Sequence, residues 1–133
     1  MILVDASVWI DFFNGRDTVG VERLADLLGD GAAPLAMADL VLFEVLRGFR
    51  YQQDFVAARQ SLAALPVLDI GGEGNVVSAA EHYRVLRGHG VTVHSPVDVL
   101  LASYCIEHGH ALLHDDQDFD ALEQLRGLKV WRH

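Results

Sequence analysis

Residues 1–15 read MILVDASVWIDFFNG, and the order of residue types in this stretch decides how the rest of the chain is parsed. Ile2-Leu3-Val4 is a short apolar run of the kind that forms a buried strand. An acid, Asp5, follows at once. Ser7 to Asn14 then reads as a helix, with Ser7 as a possible N-cap and Gly15 as the stop. A fully apolar strand that passes straight into a helix is the opening of a crossover connection. Crossovers join parallel strands, because two-residue hairpins cannot.

The same pattern recurs downstream. Val21, Leu24, Ala25 and Leu28 follow at helical spacing. Pro34 opens a second strand candidate, Leu35-Ala36-Met37-Ala38, and Asp39 is placed to N-cap a helix running to about Phe49. Phe55, Ala58, Leu62 and Leu65 form one helical stripe. Pro66 opens a third strand candidate over 67–70. Val76, Ala79 or Ala80, Tyr83 and Leu86 mark a further helix, stopped by Gly88 and Gly90. Ser95-Pro96 begins another, with serine at the N-cap and proline at the first helical position, and Gly109 ends it. Ala111-Leu112-Leu113 is a fourth strand. Phe119, Leu122 and Leu125 lie on a short helix, and 128–131 is a fifth strand. Strands alternating with helices predict an α/β fold, a parallel sheet with helices on both faces. Ligand sites in such sheets form beyond the carboxyl ends of the strands.

Composition narrows the class. The chain has 133 residues, 51% apolar and 22% charged, so one globular domain over 1–133 is expected. No apolar run approaches the ~20 residues of a membrane span. An acid at position 5 and no preceding basic residue argue against a signal peptide. One cysteine, Cys105, excludes an internal disulfide and fits a reducing, cytoplasmic setting. A net charge of −9 argues against a basic arm that tracks phosphates.

The distribution of acids is more informative than their number. Asp5 ends the first strand, and Asp116 lies just past the fourth. Glu44 sits within Leu40-Val41-Leu42-Phe43-Glu44-Val45-Leu46, a helix apolar on nearly every side and therefore expected to be buried on nearly every side. Asp98 is flanked by Val97 and by Val99-Leu100-Leu101-Ala102. Carboxylates in apolar surroundings need a cationic partner, a proton or a metal. Arg47, three residues past Glu44, is the one nearby base with helical reach. If the acids converge, a divalent cation relieves their repulsion. Oxygen ligands without sulfur suit Mg²⁺, and two ions about 3.5–4 Å apart would cleave phosphodiesters. Plainer roles stay open. Asp5 can cap a helix, Ser95 and Asp98 form a capping-box pattern, and Asp115-Asp116-Gln117-Asp118 can be a solvated turn.

Four stretches together resemble the PIN-domain ribonucleases of the VapC toxin type. They are residues 1–15, then Leu40 to Gly48 around Glu44, Ser95 to His108 around Asp98, and Leu112 to Phe119 around Asp116. They occur in the family's order, and the likeness runs from Ile2 to about Trp131. The resemblance implies a three-layer α/β/α PIN-like domain with a five-stranded parallel sheet. It implies Mg²⁺, or Mn²⁺ in its place, held by Asp5, Glu44, Asp98 and Asp116, with Asp118 in reserve and Ser7 supporting. It further implies RNA cleavage, a homodimer, and a cognate antitoxin through which alone operator DNA is met. Ala6 and His114 depart from the family's usual residues, threonine after the first acid and threonine or serine before the fourth.

Other residues have competing readings. Arg16, Arg47 and Arg50 are candidate RNA contacts or solvated surface. Trp9, Phe12 and Phe13 can stack bases or form core. Cys105 lacks an activating neighbour and reads as core. His108, His110 and His114 fall on different predicted elements, which disfavours a zinc site. Two alternative functions remain: a PIN-fold nuclease outside any toxin–antitoxin system, and a phospho-acceptor receiver domain. The latter needs a strand-end lysine, and the only lysine is Lys129.

Overall fold

The computed structural model describes residues 1–132, leaving out His133. Strand β1 (Ile2–Val4) leads into α1 (Ala6–Phe13) and α2 (Val19–Gly29). Then come β2 (Met37–Ala38), α3 (Asp39–Leu46), α4 (Gln52–Leu62) and β3 (Val67–Leu68). Helices α5 (Glu73–Gly88) and α6 (Pro96–His108) precede β4 (Ala111–Leu113). A 3-10 turn (Gln117–Phe119), α7 (Asp120–Arg126) and β5 (Lys129–Val130) complete the chain.

Every strand pairing is parallel, as the alternation requires. Leu3 and Val4 stand opposite Leu112 and Leu113, all almost fully buried. The expected five-stranded sheet is divided, however. β1, β4 and β5 form one ladder with β4 in the middle, and β2 and β3 form another. Among the described residues, a single bridge, Ile2 to Leu35, joins the two. At that bridge Ile2 N donates to Pro34 O at 2.8 Å and Ile2 O accepts from Ala36 N at 3.0 Å. Helix α1 packs on α2 and α3, while α5 packs on α6 and α7, giving three layers, α/β/α.

Several local expectations shift by one to three residues. Asp5, not Ser7, occupies the N-cap position of α1, and Gly15 closes the helix at φ +70°. Asp39 is the first residue inside α3 and does not cap it; its Oδ1 accepts from Leu40 N and Ile70 N, tying α3 to the end of β3. That helix stops at Leu46, not Phe49. It is also not buried all round, since only Val41 and Val45 are fully buried and Phe43 is 59% exposed. On α2 the buried stripe is Gly20, Leu24 and Leu27, so Leu28 faces outward. On α5 it is Ala79, His82 and Leu86, with Val76 exposed. Leu125 on α7 is exposed as well. Periodicity identifies an amphipathic helix but leaves its rotation about its own axis to the neighbouring elements.

Candidate active site

Chain direction brings the four acids to one edge. Asp5 directly follows β1, and Asp116 follows β4 by three residues. The two strands are parallel and in register, so both acids leave the same end of the sheet. β2 ends at Ala38 and passes without a break into α3, which carries Glu44 on its second turn. α6 ends three residues before β4 begins, so it runs back against the strand direction. Its first turn, held by Ser95 as N-cap and Pro96, therefore lies at the carboxyl edge with Asp98.

The result is one cavity of about 470 Å³ lined by Asp5, Ser7, Glu44, Arg47, Asp98 and Asp116, with Ala6, Ile10, Gly48 and Ser95 between them. Ser7 Oγ donates to Asp5 Oδ2 at 2.5 Å. Asp5 is 4% exposed, and burial raises its pKa; the Ser7 hydroxyl and the backbone N–H groups of Ala6 and Ser7 pull it back, and Asp116 raises it again. Burial and then Asp5 raise Glu44, against the pull of Arg47 at 3.9 Å. Asp98 is pushed up to about 7, by burial first and then by Asp5, Glu44, Asp116 and Asp118 in turn. The Ser95–Asp98 capping pattern is also formed, but only through the backbone: Asp98 N donates to Ser95 Oγ at 3.4 Å, which leaves the carboxyl group for the cavity.

The crowded turn after β4 resolves by hydrogen bonding. Asp115 turns to α2, where its Oδ2 accepts from Gly20 N at 3.1 Å. Asp116 lines the cavity while its Oδ1 accepts from Asp118 N at 2.9 Å, starting the 3-10 turn. Asp118 does not line the cavity, but its charge bears on Asp98. His114 packs on Phe119 and accepts the Asp116 N–H through Nδ1, and burial lowers its pKa.

Of the three arginines, Arg47 alone lines the cavity. Arg16 pairs with Asp11 at 3.6 Å, and Arg50 lies over the Tyr51 ring. Trp9 is buried, and Phe12 and Phe13 pack against the core, so these aromatics serve the interior. Cys105 is buried with its thiol pushed up to about 12, as suits a core residue. Ile10 and Gly48 belong to the wall although nothing in their own chemistry points there. Only the elements that carry them, α1 beside Asp5 and the end of α3 beyond Glu44, locate them.

Among the described residues, no group of three or more His, Cys, Asp or Glu is arranged to enclose a metal ion on its own. The donor set still fits Mg²⁺ or Mn²⁺. It is all oxygen, it is anionic with one exposed arginine in its wall, and such ions are held through one or two carboxylates with waters completing the shell.

Comparison with known proteins speaks to the family and the fold. The sequence model of the PIN domain matches residues 2–125. Ribonuclease VapC11 of Mycobacterium tuberculosis is 31% identical over 130 residues, covering 98% of this chain and 97% of that protein. A VapC ribonuclease of Mycobacterium bovis matches to the same extent. Among solved structures, VapBC2 from Rickettsia felis bound to a promoter DNA fragment superposes with a TM-score of 0.76 at 18% identity, over 98% of both chains. FitAcB from Neisseria gonorrhoeae gives 0.76 at 17% identity, over 98% of this chain and 96% of that one. At such identities the structural likeness speaks for the fold. A family match over nearly the whole length, joined to a full-length relative above 30% identity, assigns this chain to the PIN-domain family of VapC ribonucleases.

Proposed function

We propose that this protein is the toxin of a type II toxin–antitoxin pair and a metal-dependent endoribonuclease, built as a single PIN domain over 1–133. The observation that carries the reading is the meeting of Asp5, Glu44, Asp98 and Asp116 in one cavity, where burial first and the other carboxylates after it push Asp98 up to about 7. Mg²⁺ or Mn²⁺ would be held by these four, with Asp118 in reserve. When bound, such an ion lowers the pKa of a coordinated water toward neutrality and offsets charge developing on the phosphodiester.

The chain's own groups do the rest. Ser7 orients Asp5 through its hydroxyl proton, the task of an outer partner that fixes a ligand. Asp98 holds a proton near neutral pH and releases it as a cation enters. Arg47, 61% exposed in the wall, offers a guanidinium to a substrate phosphate. Arg16 and Arg50 extend that role outside the wall.

Several of the structural neighbours are complexes, and the one from Rickettsia felis is bound to DNA from its promoter. By extension, this chain's partner is a cognate antitoxin that carries any operator contact, and the toxin is a cytoplasmic homodimer. A net charge of −9 agrees with leaving DNA to the partner. The receiver-domain alternative fares worse. Lys129 pairs with Ala111 at the amino end of β4, the edge opposite Asp116.

The direct experiment incubates antitoxin-free protein with a panel of structured RNAs in Mg²⁺, in Mn²⁺ and in EDTA. Cleavage that needs the ion is expected; a metal-loaded preparation that cuts no RNA refutes the enzymatic reading. Cleavage by a chain with no antitoxin gene beside its own would instead favour a PIN nuclease outside a toxin–antitoxin pair.

A further inference from the structure

The turn after β4 is pinned at several points, and one pin is a histidine with a nitrogen to spare. The backbone N–H of Asp116 donates to His114 Nδ1 at 3.1 Å. A backbone amide can only donate, so Nδ1 is bare and the ring carries its proton on Nε2. Nε2 is buried, with no hydrogen-bond partner among the described residues. The ring packs tilted against Phe119, which is itself fully buried, with centroids 4.7 Å apart. Asp116 Oδ1 meanwhile accepts from Asp118 N at 2.9 Å, so both the N–H and one carboxyl oxygen of Asp116 are committed inside the turn.

An orphaned ring N–H is a poor choice for packing alone. Phenylalanine or leucine would fill the space beside Phe119 without desolvating a donor that receives nothing in return. The feature the aliphatic or phenyl side chain cannot reproduce is the acceptor at Nδ1. We infer that His114 is a positioning residue for the fourth carboxylate: clamped on Phe119, its ring holds the Asp116 N–H and thereby sets where the Asp116 carboxyl group stands in the cavity wall. This rests on the reading of the cavity given above and adds to it the group that fixes one of its acids.

Two variants separate the acceptor from the packing. His114→Phe keeps a ring against Phe119 and removes the acceptor. His114→Asn gives up the ring but offers Oδ1 near the place of Nδ1. His114→Phe should melt no lower than the parent, yet its Asp116 amide should exchange at least tenfold faster by NMR. Its affinity for Mn²⁺ alone, by titration calorimetry, should fall about tenfold, as when an outer partner of a metal ligand is lost. His114→Asn should recover most of both. In the parent, ring ¹⁵N shifts should show Nδ1 unprotonated and Nε2 protonated at neutral pH. Parental amide protection and Mn²⁺ affinity in His114→Phe would overturn the inference. So would a His114→Asn variant as impaired as His114→Phe, or a ring protonated on Nδ1. If the parent itself neither binds Mn²⁺ nor cuts RNA, the proposed function falls, while the ring tautomer and the Asp116 amide still decide whether His114 holds this turn.

Discussion

His82 and Asp98 are both polar side chains set among apolar neighbours, and the protein treats them differently. His82 is 4% exposed, and each ring nitrogen has a partner: Arg126 Nε donates to Nδ1 at 2.8 Å, and Nε2 donates to Glu107 Oε1 at 2.9 Å. The chain Arg126–His82–Glu107 ties α7 to α5 and α5 to α6 and places a base beside an acid through a neutral ring. Asp98 faces three further carboxylates, and no hydrogen bond reaches its own carboxyl group from the described residues. The first cluster is satisfied and holds helices together. The second is crowded with like charge and left that way, which stability alone would not favour. A polar group whose needs are met inside the chain reads as structure; one whose needs are met only by something from outside reads as function.

The contrast can be broken first at Asp98. Asp98→Asn should lower RNA cleavage by about 10²–10³-fold, the scale for removing one preorganised group from an active site. The same substitution should raise the stability of the metal-free chain by about 1 kcal/mol, seen as a higher melting temperature in EDTA, because it removes repulsion. Loss of cleavage without that gain would mean the cavity is less strained than its charges imply.

His82→Leu should do the opposite. Stability should fall by about 2 kcal/mol by urea denaturation, since Arg126 and Glu107 lose their shared partner. The folded fraction should keep the parental kcat. A large loss of kcat in fully folded protein would show that the two clusters are coupled.

The third test is pH. Asp98 is raised from 3.8 to about 7, so its proton favours the folded, metal-free state. That stabilisation is complete below pH 4, and it is lost as pH rises toward and through 7. An entering ion must displace the same proton. Mn²⁺ affinity should therefore fall about tenfold for each pH unit below 7 and level off above it, measured calorimetrically, with the slope flattened in Asp98→Asn. The smallest effect is expected from Gly20→Ala. A Cβ at Gly20 would overlap the Asp115 carboxyl group, which must move and so weakens the Gly20–Asp115 hydrogen bond. Unfolding should become easier by about 1 kcal/mol, with a few-fold loss of cleavage as the turn bearing Asp116 loosens.

Much of this architecture is legible in the residues because the signals are local. Ser95 with Pro96 starts α6 and Gly109, at φ +70°, ends it, as their backbone preferences dictate. Ile2-Leu3-Val4 and Ala111-Leu112-Leu113 form strands of the expected extent. The approach of Asp5 and Asp116 is legible for a further reason: parallel connections return every strand to the same edge, so residues that follow strands converge however far apart they lie in the chain. Exposure on α3 was not legible. Seven apolar or acidic residues in succession leave no polar stripe, and only the packing of α1 and α4 against it decides that Val41 and Val45 turn inward while Phe43 does not.

The amino-acid order by itself determined where most strands and helices lie, that the strands run parallel, and that Asp5 and the acids after β4 leave the same edge as the start of the helix bearing Asp98. Those follow from steric preferences acting over a few residues and from the geometry of crossovers. Tertiary structure alone decided which of Asp115, Asp116 and Asp118 enters the cavity, that Arg47 but not Arg16 or Arg50 lines it, and that His82 joins Arg126 to Glu107. Neighbouring residues in a turn, or on a helix that can rotate about its axis, differ by small dihedral changes. Contacts from distant parts of the chain are what choose among them.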